Sequence, residues 1–254
     1  MSYETPSLFI GGPSNQTIWQ AVTEARHDLG TVGQLGDGRE YVYACSRSSA
    51  ALAAGKLCKT NEASVDFDAM AVNTAVVGDT TLDITPVGTA TYAQNELVGG
   101  YVIVEDDTGE GSYYRITSNP ATTAATAFTV GIEPIRVAFA AGTTVGVAPN
   151  LYSDVLLADA NLTQLVAGVP NFEVPIGSTN PQYFWLQTKG VCSLLVDETV
   201  TAFTVGAPLQ PSVAVAGAVE PIIDAAAAHD PQVGTALAIV AADTEYAAVR
   251  LNIV

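Results

Sequence analysis

Basic residues are scarce in this chain: nine Lys and Arg stand against 26 Asp and Glu among 254 residues, a formal charge of -17. That sign repels a phosphate backbone, so no direct nucleic-acid partner is expected. Charge of either sign is thin, at 14% of residues against about 25% in typical soluble domains. Long apolar runs are missing too. Hydrophobic residues make up 48% of the chain, but Gly, Thr and Asn interrupt them well short of the roughly 20 residues that span a bilayer. No membrane segment is expected. The opening Met1-Ser2-Tyr3-Glu4-Thr5-Pro6 lacks the basic start and apolar stretch of a secretory signal, so export by that route is not expected unless processing has already occurred. Cysteine is limited to Cys45, Cys58 and Cys192. Without C-x-x-C spacing they make neither a zinc knuckle nor a disulfide framework, and reduced, partly buried thiols are expected.

Catalytic signatures are equally sparse. Gly-x-Ser-x-Gly, His-Glu-x-x-His and the phosphate-cradling Gly-x-x-x-x-Gly-Lys are absent, and His27 and His229 have no nucleophile context. No enzyme, cofactor or metal is expected. The densest acidic run, Glu105-Asp106-Asp107-Thr108-Gly109-Glu110-Gly111, does not alternate its oxygens as a calcium loop does. It reads as a hairpin turn between strands at Tyr101 to Val104 and Tyr113 to Thr117. Paired carboxylates for glycoside hydrolysis stay at their base rate in a chain with 26 acids, because sequence spacing cannot place two across a cleft. Tyr113, Tyr114, Tyr183 and Trp185 are candidates for a sugar-binding platform, with core or interface packing the commoner role for aromatics on strands.

Proline is absent from residues 14–85, which sets the first third apart. Ile18, Trp19, Val22, Ala25 and Leu29 follow near-helical spacing between Pro13 and Gly30 and predict a short amphipathic helix. The flanking glycine-punctuated pieces read as an extended arm that needs a neighbour, residues 1–38. Short runs of Val, Ile, Thr, Tyr and Phe dominate from Arg39 onward. Leu82 and Ile84 alternate with Asp83 and Thr85, and Phe128, Val130 and Ile132 with Thr129 and Gly131. Tyr101 to Val104 and Tyr183 to Leu186 are apolar on both faces, which suits central strands or an interface. Val249, Leu251 and Ile253 mark a closing strand. Ser48 to Ala54 and Asp224 to His229 are Ala-rich and read equally as helix or loop. The expected architecture is mainly β, with sandwich or barrel-like domains at 39–150 and 151–254 behind an N-terminal arm carrying at most one short helix. Acids and bases balance at five each in residues 1–59, so the remainder holds the whole -17. This reads either as a solubilising surface or as a neutral docking front on an acidic body.

Several stretches carry a resemblance: Asp37-Gly38-Arg39-Glu40-Tyr41-Val42-Tyr43-Ala44, Leu52-Ala53-Ala54-Gly55-Lys56-Leu57, Gly99-Gly100-Tyr101-Val102-Ile103-Val104, Tyr183-Phe184-Trp185-Leu186-Gln187-Thr188-Lys189-Gly190, and Val205-Gly206-Ala207-Pro208-Leu209. Their order resembles virion proteins of tailed bacteriophages encoded near the major capsid protein, of the head decoration or cement type. The resemblance implies a non-catalytic structural protein, made in the host cytoplasm. It would sit on the capsid surface of the virion as a homotrimer, with the major capsid protein as partner. The arm would then order on binding, with Phe9 and Trp19 as anchors. The partner-binding candidates are Phe9, Ile18, Trp19, Tyr41, Tyr183 and Trp185. The alternatives are a carbohydrate-binding or adhesive β module of a fibre or surface layer, which predicts exposed aromatics in a groove, and more remotely a carboxylate hydrolase.

Overall fold

A computed structural model of the protein describes residues 16–198, 203–222, 232–238 and 243–253. The strands are β1 (Val32–Gln34), β2 (Glu40–Ser46), β3 (Cys58–Lys59), β4 (Met70–Ala71), β5 (Thr81–Ile84), β6 (Tyr101–Asp106), β7 (Tyr113–Ser118) and β8 (Phe128–Ile132). They continue with β9 (Thr144–Ala148), β10 (Leu156–Leu157), β11 (Val166–Pro170), β12 (Gln182–Leu195), β13 (Pro208–Pro211), β14 (Val219–Pro221), β15 (Gly234–Ala236) and β16 (Tyr246–Asn252). Among the described residues the only helical element is a 3-10 turn, Val65–Phe67, and no helix is long and apolar enough to cross a membrane. The protein is mainly β, as its strand-rich periodicity predicts.

The strands divide between two compact units. One is Asn61–Ser153; the other takes the described residues of Met1–Thr60 and Asp154–Val254. The 61–153 unit is a six-stranded antiparallel sheet in the order β4-β9-β6-β7-β8-β5. Just past β4, Val72 bridges Ile84 of β5, so the two ends of the sheet meet and the barrel nearly closes, which leaves little unpaired edge. Alternation builds its interior. Val102, Val104, Tyr114, Ile116, Val130, Val145 and Val147 point inward, where Phe67, Met70 and Phe139 complete the core. The acidic run forms the turn of the β6–β7 hairpin, whose register places Tyr101 opposite Arg115 and Ile103 opposite Tyr113.

The other unit is a curled ten-stranded sheet organised by β12. Residues 182–189 of β12 pair with β2, and residues 189–195 pair with β16. The run Tyr183 to Leu186 is therefore a central stretch, with Phe184, Trp185 and Leu186 fully buried. Val249 and Leu251 of the closing strand join Leu194, Phe203, Leu209 and Val219 in one core.

Three sequence expectations change. Residues 16–30 contain turns and no helix. Val22 exchanges both backbone hydrogen bonds with Tyr183, at 3.0 and 2.8 Å, and this non-local pairing overrides a weak helical propensity. Ser48 to Ala54 is likewise not helical, while Asp224 to His229 lies outside the described residues. Residues 16–38 are not an arm awaiting a neighbour, because Ile18 and Leu35 are buried with Tyr41, Tyr43 and Trp185 of their own chain. The boundary expected near residue 150 falls at Ser153, but residues 39–60 join the C-terminal strands instead of the middle ones. The reason is that β2 is hydrogen-bonded along β12.

Candidate functional site

Two surfaces present aromatic side chains to solvent, one on each unit. The first lies on the outer wall of the barrel. Because side chains alternate across β6 and β7, burying Val102, Val104 and Tyr114 forces Tyr101, Ile103 and Tyr113 outward together. They are 41%, 41% and 59% exposed. Tyr101 and Tyr113 meet edge to face, 5.7 Å between ring centroids. The guanidinium of Arg136 donates to the Tyr113 carbonyl at 2.6 Å and holds that end of the strand. Ile103 also lines a shallow groove of about 270 Å³ with the exposed Val65, across Gly146 and Ala148. Acids border this strip. Glu105 accepts a hydrogen bond from the Ala69 amide at 2.9 Å. Burial, and then a hydrogen bond with the Asp68 carboxyl, hold its pKa above the usual carboxylate range.

The second surface is a groove of about 730 Å³ on the sheet unit, with Trp19 and Tyr246 on its lining and Arg39, Asn171, Gln187 and Ser193 as polar groups. Trp19 is 53% exposed and Tyr246 50%. Two glycines shape the groove. Gly55 has φ +68, and a Cβ there would sit 2.8 Å from the Tyr246 ring, so the ring lies against bare backbone. Gly190, at φ +88, allows the Arg39 stem an equally close approach. Beneath the groove a chain of hydrogen bonds fixes the polar groups. Arg39 bridges Asp37 at 2.8 Å and donates to the Tyr41 hydroxyl at 3.1 Å. Asn171 donates to the same hydroxyl at 2.8 Å, which in turn donates to Gln187 Oε1 at 3.3 Å. Gln187 Nε2 donates to the Lys189 and Val191 carbonyls, both at 3.0 Å. Burial pushes the Tyr41 phenol up, so it serves this network neutral.

The partner-binding candidates scatter. Phe9 lies outside the described residues. Ile18, Tyr41 and Trp185 are core and offer a partner no surface, and Tyr183 is only partly exposed. Trp19 alone is half open. The sugar-platform candidates change as well: Tyr114 and Trp185 are fully buried, and only Tyr113 is widely exposed. Tyr246 was missed because it precedes the closing strand's alternating apolar residues. Its seat on Gly55 has no distinguishing sequence signal in a chain where comparable Ala- and Gly-rich runs recur.

Among the described residues, no group of three or more His, Cys, Asp or Glu is placed to hold a metal ion. Family models, curated protein sequences and solved structures provide no match to this chain.

Proposed function

We propose that the chain is a non-catalytic structural protein of a tailed-phage virion. It binds the outer surface of the capsid as a homotrimer and cements neighbouring subunits of the major capsid protein. The observation that carries this reading is the outward-facing Tyr101, Ile103 and Tyr113 strip on an acidic barrel. A contiguous exposed apolar patch with a polar rim marks a protein interaction surface, and tyrosine is among the side chains that concentrate binding energy. Residues 61–153 hold eleven acids and two bases, and both bases stand at the strip, Arg115 opposite Tyr101 and Arg136 on the Tyr113 carbonyl. The complementary capsid surface is therefore apolar with a rim that carries charges of both signs. The resemblance in residue order supports the same reading.

The test is co-sedimentation of the purified chain with capsid shells of the same phage that lack it. Wild-type chain is expected to pellet with shells, whereas Tyr101→Ser/Tyr113→Ser is expected to stay in the supernatant while remaining folded. Equal pelleting of both would remove the strip from the account, and no pelleting of either would overturn the reading.

A further inference from the structure

We propose that the groove between Trp19 and Tyr246 binds a neutral saccharide, a function separate from capsid docking and carried by the other unit. Its volume of about 730 Å³ falls within the roughly 300–1,000 Å³ of small-ligand sites. Two half-exposed aromatic rings line it, and such rings present flat apolar faces of the kind that stack on the C–H face of a pyranose. The same lining carries two planar polar side chains, Arg39 and Asn171, whose geometry suits pairs of adjacent hydroxyls. Gln187, buried and hydrogen-bonded at both ends of its amide, supports them from beneath.

The charge of the lining selects the ligand class. Arg39 is its only charged side chain, and Asp37 already neutralises it at 2.8 Å. An anionic ligand would meet no uncompensated cation there, on a chain of net charge -17. A neutral polyol needs none. The internal hydrogen bonds use Arg39 Nε and Nη1 and Asn171 Nδ2. Arg39 Nη2 and Asn171 Oδ1 then have no partner among the described residues, one a donor and one an acceptor.

The site is also held in place before any ligand arrives. Gly55 seats the Tyr246 ring and Gly190 seats the Arg39 stem, while Gln187 is fixed through two backbone carbonyls. Pre-set side chains lose little freedom on binding, which raises affinity for a ligand that offers few strong contacts.

The chain supplies its own reporter. Of its two tryptophans, Trp185 is fully buried and Trp19 is half exposed, so ligand-induced changes in tryptophan emission report on the groove. The experiment titrates the full chain with cello-, malto-, manno-, xylo- and chitohexaose, following emission and acrylamide quenching. At least one hexaose is expected to shift Trp19 emission to the blue and shield it from acrylamide. Tyr246→Ala is expected to weaken that ligand by about tenfold or more. Gly55→Ala, which displaces the same ring, should weaken it as well, with circular dichroism checking its fold. Calorimetry on Trp19→Ala, a half-exposed position, repeats the measurement without the reporter. The proposal is overturned if none of the five hexaoses changes emission or heat. It is also overturned if Tyr246→Ala and Trp19→Ala bind as wild type does, or if Trp19 becomes shielded with protein concentration alone, which would make the groove a contact between copies. None of these outcomes bears on capsid co-sedimentation, so the two readings fail independently.

Discussion

The side-chain amide of Gln16 donates to the backbone carbonyl of Tyr183 at 2.7 Å, across 167 residues of sequence. Its Oε1 accepts from the Tyr43 hydroxyl at 2.8 Å. Gln16 thereby closes a buried cluster in which the Tyr43 and Trp185 rings lie 5.0 Å apart, with His27 about as close to each. The N-terminal segment from residue 16 onward is part of the sheet unit's core, and this changes what its removal should do.

Deleting residues 1–35 is expected to destabilise the sheet unit itself, because it removes Ile18 and Leu35 from that core. The milder Gln16→Ala strips a buried acceptor from Tyr43 and is expected to cost about 1–3 kcal/mol, read from urea denaturation. Limited proteolysis is the second check. Cleavage within residues 16–38 should wait on unfolding, and rapid cleavage there with the body intact would show a free arm.

His27 has its pKa lowered, chiefly by burial against the aromatic cluster and partly opposed by the Asp28 carboxylate. A base whose folded pKa lies below its unfolded value of 6.5 contributes its stabilisation above that pH. The contribution is lost as pH falls through the folded value. Wild type is therefore expected to lose more thermal stability than His27→Gln between pH 7 and pH 5. Parallel losses in the two proteins would contradict this assignment.

Glu105 carries the opposite sign. Burial and the Asp68 carboxyl hold its pKa above the usual carboxylate value of 4.5, so its ionised form destabilises the fold at neutral pH. The favourable contribution of the protonated form is present below 4.5 and disappears as pH rises through the folded value. Glu105→Gln keeps an acceptor for the Ala69 amide and gives Asp68 a donor. Its Tm is expected to exceed wild type at pH 7, with the difference shrinking toward pH 4. A lower Tm at pH 7 would refute the repulsion.

All three cysteines are free and buried. Burial pushes the Cys192 thiol up to about 12 and raises Cys58 as well, so almost no thiolate of either exists at pH 8. Native protein is expected to leave an aromatic disulfide reagent unreacted over minutes, and denatured protein to release three equivalents. Cys192 lines the groove of the sheet unit, so it is the thiol expected to react first, and its fast reaction in the native state would contradict the raised pKa.

Period-two patterns were the legible part of the fold. Leu82 and Ile84, Phe128 to Ile132 and the strand through Val249 and Leu251 all stand where alternation places them, because a half-buried strand must repeat every second residue. The hairpin around the acidic turn was legible from its Asp and Gly, whereas Tyr101 to Val104, apolar on both faces in sequence, exposes one of them. The near-helical spacing from Ile18 to Leu29 misled because the backbone bonds of Val22 go to Tyr183, a partner no local window contains. The same distance hid the union of residues 39–60 with the C-terminal strands. Of the site, large aromatics were visible as a class, but composition cannot distinguish buried Trp185 from exposed Trp19. That distinction depends on which face of which strand meets the core. The charge asymmetry does not follow the division into units, since the described part of neutral residues 1–59 shares one unit with the acidic strands from Asp154 onward.

Tyr101→Ser and Tyr113→Ser act on outward-facing side chains and are expected to change stability by no more than about 0.5 kcal/mol each, measured by urea denaturation. A loss of several kcal/mol would mean that the strip supports the barrel, and its loss of attachment would then have a structural cause.

Cryo-electron microscopy of the phage particle tests the central claim most directly. The account predicts density for this chain on the outer capsid surface, three copies together, with Tyr101 and Tyr113 against the major capsid protein. Particles in which the chain is absent, or present with both tyrosines facing solvent, would contradict it.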